Sequence, residues 1–170
     1  MSQLALIDVP PVIEPEPDEK YTPTAFFRPL HDEFNFTVDV CATAESAKVP
    51  RFYSAADNGL RQSWAGERVW CNPPYSDIEP WVRKAEFETF RGCELVAMLL
   101  PSWTDREWWH EFIEPFRDRK RPSDLVGPAP RIETRFIRPR IVFGRPGDPE
   151  GLRSPRSPDF WNALVIWGRP

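Results

Sequence analysis

No apolar run in this 170-residue chain approaches the roughly 18 residues of a membrane-crossing helix, so a membrane protein is not expected. The first residues hold no basic segment leading into an apolar one, so no secretory signal is expected either. Cysteine is scarce. Cys41, Cys71 and Cys93 form no C-x-x-C pair, which argues against a zinc site and against a disulfide framework. They read as reduced packing residues of a cytosolic protein. Histidine is scarcer still: His31 and His110 fall on predicted helices without metal-ligand spacing, and no metal is expected.

What is abundant is aromatic and imino. Hydrophobic residues make up 41% and aromatics 14%, with 8 Trp, enough for one domain with a substantial core. The 21 prolines predict many fixed turns. Charge is unevenly spread. Residues 1–20 carry five acids and one base in a proline-rich context, "DVPPVIEPEPDEK", and read as a disordered acidic tail before a domain at 21–170. Residues 21–114 hold 9 bases and 15 acids, whereas 115–156 hold 11 bases, ten of them arginine, and 5 acids. Arginine's planar fork suits phosphate and guanine edges, although a charge run alone is more often a solvated surface.

Along the chain, Thr22-Pro23 reads as an N-cap and first helical residue, opening a helix to about His31 that Pro29 ends early. Strands are expected at Phe36–Cys41, "RFYS", "RVWC", "CELVAMLLP", "RIETRFI", "RIVFG" and "NALVIW". A helix follows "RVWC", opened by a capping box at Ser76–Glu79 and stopped by Gly92. Another, capped by Thr104 or Asp105, carries Trp108, Trp109 and Phe112. Residues 117–130 and 145–158 read as loops. Strands alternating with helices give an α/β fold around a mostly parallel sheet, with a C-terminal antiparallel hairpin about Pro139. In such sheets ligands collect at the carboxyl ends of the strands.

One strand end is unusual: "VWCNPPYSDIEPW" sends an apolar pair into Asn72-Pro73-Pro74-Tyr75. Consecutive prolines cannot donate to a ladder, so the strand stops there. An exocyclic amine on a nucleobase is a poor nucleophile because its lone pair is delocalised. Two acceptors aimed at its hydrogens, the Asn72 side-chain oxygen and the Pro73 carbonyl stiffened by Pro74, would free that pair. Tyr75 would stack on a base taken out of the duplex. No ionised general base is needed, in keeping with the lack of histidine nearby. The bland reading is a strand-ending turn with a packed tyrosine.

The stretch from Tyr21 to Trp167 resembles the phage-encoded, Dam-like DNA N6-adenine methyltransferases in "YTPTAFFRPLHDEFNFTVDVCAT", "DNGLRQSW", "VWCNPPYSDIEPWVRKA", "MLLPSWTDREWWHEF" and "RFIRPRIVFG". The resemblance implies a minimal Rossmann-like class I methyltransferase with S-adenosylmethionine as donor, adenine in DNA as acceptor, and a place in the cytoplasm of a bacterial host. It implies that Thr22, Pro23 and Asp39 lie near the donor's methionine half and Asp57, with Asn58 and Leu60, near its adenosine half. The loop after the first strand, Asp39-Val40-Cys41-Ala42, lacks the glycines usual in methyltransferases, and the small Cys41 and Ala42 stand in for them. Asp39 as a satisfied strand-end carboxylate and Asp57 as a turn cap are the bland alternatives. Arg135, Arg138 and Arg140 alternate near the hairpin and are candidates to follow a DNA backbone; as solvated strand-edge charges they would only discourage aggregation. Asn-Pro-Pro-Tyr also serves methyltransferases of RNA bases and of protein glutamine amides, and a non-catalytic DNA-binding module is a third reading. The sequence leaves the oligomeric state open.

Overall fold

A computed structural model describes residues 20–116, 131–153 and 157–168; the acidic segment 1–19 and the loop expected at 117–130 lie outside them. Eight regular elements run in the order α1 (Thr24–Phe34), β1 (Val38–Asp39), β2 (Arg68–Cys71), α2 (Glu79–Phe90), β3 (Leu95–Pro101), α3 (Glu107–Phe112), β4 (Arg131–Phe136) and β5 (Asn162–Gly168). They form a mixed α/β fold on one five-stranded sheet of order β1-β2-β3-β5-β4. β1, β2 and β3 pair in parallel, while β5 runs antiparallel to both β3 and β4. Four strands therefore point one way and β5 the other.

The central strands are apolar on both faces because both faces are covered. Side chains alternate across a strand. Val96, Met98 and Leu100 of β3 join Val69, Cys71, Ala163 and Val165 in a core with Trp81, Val82 and Ala85 of α2 and Trp109 and Phe112 of α3. Ala97 and Leu99 point the other way, with Trp70, Leu164 and Ile166, onto Phe27 and Phe34 of α1. Under α2 the buried Glu88 accepts from the Trp64 N–H at 2.8 Å and from Lys84 at 2.7 Å, tying the helix to the 59–64 segment.

Several boundaries differ from expectation. Pro29 does not end α1, which continues to Phe34. An interior proline costs about 3 kcal/mol, and burying Phe34 with part of Leu30, at about 1.5–3 kcal/mol per fully buried side chain, offsets it. The helix starts at Thr24 with Pro23 as N-cap, and it is Glu150 that accepts from the Thr24 N–H, at 2.8 Å. α2 starts at Glu79, three residues after the Ser76 expected to open it, and its N-cap residue Ile78 offers no capping side chain. α3 has Arg106, not Thr104 or Asp105, as N-cap. The strand expected at Phe36–Cys41 shrinks to Val38–Asp39, and "RFYS" contributes only a parallel bridge between Phe52 and Asp39. "RIVFG" is no strand, and the expected hairpin about Pro139 does not form. Ile141 packs into the α1-side core, and Gly144 pairs with Tyr21 through two backbone bonds of 3.0 and 2.8 Å. β4 pairs with β5 instead.

Candidate active site

β1, β2 and β3 end on one edge of the sheet, and β5 starts there. A cavity of about 310 Å³ lies at that edge, lined by Val40–Thr43 after β1 and by Asn72, Pro73 and Pro74 after β2. The 53–59 segment forms another wall: the Ala42 N–H donates to the Tyr53 carbonyl at 3.1 Å, and the Tyr53 N–H to the Asp39 carbonyl at 2.8 Å. Lys20, Tyr21, Ser46 and Trp81 complete it.

Asn72 is the most informative side chain. Its amide nitrogen donates to the Lys20 carbonyl. A carbonyl can only accept, so this bond fixes which way round the amide sits. The oxygen is thereby turned the other way, buried and without a hydrogen-bond partner. Such an oxygen costs about 1–3 kcal/mol, and buried orphans of this kind call for an explanation. The Pro74 carbonyl accepts from the Asp77 N–H at 3.3 Å, a turn that fixes how the two prolines leave β2.

Tyr75 is buried beside the cavity rather than in its wall. Its hydroxyl accepts from Asn162 at 3.0 Å, its ring meets Phe160 edge-on at 5.6 Å and Phe143 at 6.1 Å, and the Lys20 ammonium lies 5.5 Å from the ring centre.

The residues expected to hold a donor divide. Cys41 and Ala42 line the cavity, while Thr22, Pro23, Asp39 and Asp57 do not. The Asp39 carboxylate turns into its own loop and accepts from the N–H groups of Cys41 at 3.3 Å and Lys48 at 3.1 Å. Burial pushes its pKa up to about 7, against the pull of those two bonds. Asp57 closes the Ser54 turn through bonds of 2.8 and 2.6 Å, which hold its carboxyl below the ordinary range, and it stands between Ala55 and Asn58 of the lining. Thr22 is buried with its hydroxyl unpartnered.

The glycine missing from the loop after β1 is supplied from elsewhere. A Cβ on Gly59 would stand 2.0 Å from the Val40 carbonyl oxygen, so the two backbones touch only because residue 59 has no side chain. The Asn58-Gly59 pair marks a turn in the sequence but says nothing of its partner. Asn162 and Lys20 were likewise missed; nothing local marks either. Of the three arginines, Arg135 is held by Glu33 at 2.6 and 2.7 Å and by Glu133 at 2.5 Å, so its fork is occupied. Arg138 and Arg140 lie over the Trp161 ring. Among the described residues no cluster of His, Cys, Asp or Glu is placed to hold a metal, and no helix is long and apolar enough to cross a membrane.

A DNA N-6-adenine-methyltransferase of Haemophilus phage HP1 is 33% identical over 90 residues, 52% of this chain and 52% of that protein. One of Escherichia phage T1 is 34% identical over 77 residues, 45% of this chain and 32% of that protein. The matched stretch thus spans about half or less of the length of these relatives. The family described as DNA N-6-adenine-methyltransferase (Dam) matches at residues 12–118, more than half of the sequence, and the chain belongs to that family.

Proposed function

We propose that this chain transfers a methyl group from S-adenosylmethionine to the N6 amine of adenine in DNA, in the cytoplasm of a bacterial host. The observation that carries the reading is the buried Asn72 side-chain oxygen, left without a partner on a residue that lines the cavity. The cavity volume of about 310 Å³ falls at the lower end of the roughly 300–1,000 Å³ usual for ligand pockets. Its lining combines the small Cys41 and Ala42, an aromatic at Tyr53, an amide at Asn58 and the bare Gly59, a mix that suits a nucleoside carrying a polar amino-acid tail. Asp39 would act by holding the 41–48 loop. Thr22, Pro23 and Asp57 would act from just outside the wall.

S-adenosylmethionine, when bound, supplies an electrophilic methyl group; its sulfur would leave as a neutral thioether, and the proton displaced from the amine would pass to water. The chain's own part is to prepare the amine. The Asn72 oxygen accepts from one amine hydrogen and the Pro73 carbonyl from the other, which draws the lone pair out of the ring. Pro74 keeps the carbonyl aimed, and Tyr75 offers its ring to the extruded base. Because the Lys20 ammonium lies by that ring, an incoming base must displace it.

The test is transfer of a tritiated methyl group in single-turnover mode to DNA, RNA and protein. Wild type should label adenine in DNA. Asn72→Ala should lose transfer by about a hundredfold or more while donor affinity by calorimetry changes no more than a few-fold, since the contact strengthens only at the transition state. Label on RNA or protein instead, or near-normal transfer by the variant, would overturn the proposal.

A further inference from the structure

We propose that Trp161, flanked by Arg138 and Arg140, is a nucleotide-stacking subsite beside the catalytic loop, which receives a base of the substrate strand next to the target adenine. The inference rests on the DNA reading above and adds a site to it.

Segment 160–162 runs directly past Tyr75. The Phe160 ring meets the Tyr75 ring at 5.6 Å. Asn162, 1% exposed, donates to the Tyr75 hydroxyl at 3.0 Å and to the Leu100 carbonyl at 3.2 Å. Trp161, between these two anchors, accepts from the Ser102 N–H at 2.8 Å through its carbonyl, while its side chain is 45% exposed. The indole is thus presented outward on backbone fixed on both sides by contacts to the catalytic loop.

A single exposed aromatic is ordinary. What distinguishes this one is the company it keeps. The Arg140 guanidinium lies 5.0 Å from the ring centre and that of Arg138 5.8 Å. Neither forms an ion pair among the described residues, whereas Arg135 nearby is taken up by Glu33 and Glu133. An indole covered by two guanidiniums that have no carboxylate partner among those residues, Arg140 donating only to the Pro158 carbonyl at 3.4 Å, matches a ligand that offers both a flat ring and an anion: the phosphate draws a guanidinium off the ring and the base takes its place. A nucleotide offers both; an acidic protein surface offers only the anions. Taking the target base out of the duplex also leaves its neighbours unstacked at a cost. An indole at this edge would replace the lost stack.

The experiment measures binding of a fluorescent mixed-sequence duplex and of its single strand across a salt series, with S-adenosylmethionine affinity as the folding control. Trp161→Ala should weaken single-strand binding about ten- to a hundredfold, leave donor affinity intact, and leave the salt slope unchanged because no charge is lost. Trp161→Phe should restore binding to within a few-fold of wild type. Arg138→Gln with Arg140→Gln should instead flatten the slope, by about 0.9 per lost phosphate contact on the duplex. If Trp161→Ala also lost donor binding, Trp161→Leu, apolar but without a π face, carries the same expectation. Wild type that binds and methylates DNA, with Trp161→Ala and Trp161→Leu binding equally well, would sink this inference alone. Wild type that binds no DNA would take the proposed function with it.

Discussion

An asparagine oxygen buried without a donor is an expense a fold normally avoids, and two asparagines at this edge carry one: Asn72 and Asn162. Both are held by their nitrogens, Asn72 to the Lys20 carbonyl and Asn162 to Tyr75 and Leu100. Tyr75 links them, because it follows Asn72 in the motif and accepts from Asn162. From the sequence, Tyr75 has a stacking role without proton chemistry, in which Tyr75→Phe retains most of the activity. The hydroxyl contact refines that expectation. Phe leaves Asn162 its 3.2 Å bond to Leu100 but removes the bond to the ring that must be aimed. Tyr75→Phe should lower stability by about 1 kcal/mol and slow methyl transfer only a few-fold, while Tyr75→Ala should abolish most of it. Urea unfolding and single-turnover transfer on the three proteins test this; a Phe variant as inactive as Ala would mean that the hydroxyl takes part in the reaction. Asn72 and Tyr75 were legible because four unusual residues sit together after a strand. Asn162 was not, because it is 87 residues from Tyr75 and reaches it only through the antiparallel insertion of β5 beside β3.

At the scale of elements, the loop after β1 shows how a short segment is held without glycine. Its backbone is fastened by Asp39 from below and pressed by Gly59 from the side. That fastening carries a titration. The Asp39 pKa is raised from 3.8 to about 7 by burial, so between those values the folded chain binds a proton that the unfolded chain has released. A raised folded pKa favours the folded state at low pH, and the advantage disappears as pH climbs through about 7. Glu33 and Glu150, whose carboxyls are lowered, contribute with the opposite sign. The informative quantity is therefore the stability difference between wild type and Asp39→Asn. It should shift in favour of the asparagine variant from pH 4 to pH 8, followed by denaturant unfolding at each pH; a difference that stays flat would show that Asp39 does not titrate in this range. The elements themselves are legible where the signal is plain: β3 is a continuous apolar run buried on both faces, and α2 stops at Gly92 (φ 99°). The hairpin was misread for a physical reason. "RIVFG" is apolar and β-branched like a strand, yet Ile141 and Phe143 pack into the α1-side core and the Gly144 backbone pairs with Tyr21, neither of which leaves a trace in the local pattern.

For the molecule as a whole, the sequence shows an arginine-rich segment at 115–156 but not which arginines are available to a polyanion. Availability is a tertiary property, fixed by where carboxylates fall after folding. α1 brings Glu33 to β4, so Arg135, read from the sequence as one of three equivalent DNA contacts, is bracketed by two acids. Arg138 and Arg140, beyond the end of β4, meet an aromatic ring instead. The three therefore separate into one internal brace and two candidate phosphate contacts. Arg135→Gln should leave the salt dependence of DNA binding unchanged, since each released counterion is worth a slope of about 0.9 and Arg135 releases none. It should cost under about 1 kcal/mol of stability, because Arg135 is 35% and Glu33 45% exposed and water screens the pair. Duplex affinity measured across a salt series, beside thermal unfolding of the same variant, checks both halves. A flattened slope for Arg135→Gln would mean that DNA pulls the guanidinium away from Glu33 and Glu133. The basic segment would then act as a single face, with its ion pairs broken and remade on binding, rather than as two committed arginines beside a fixed brace.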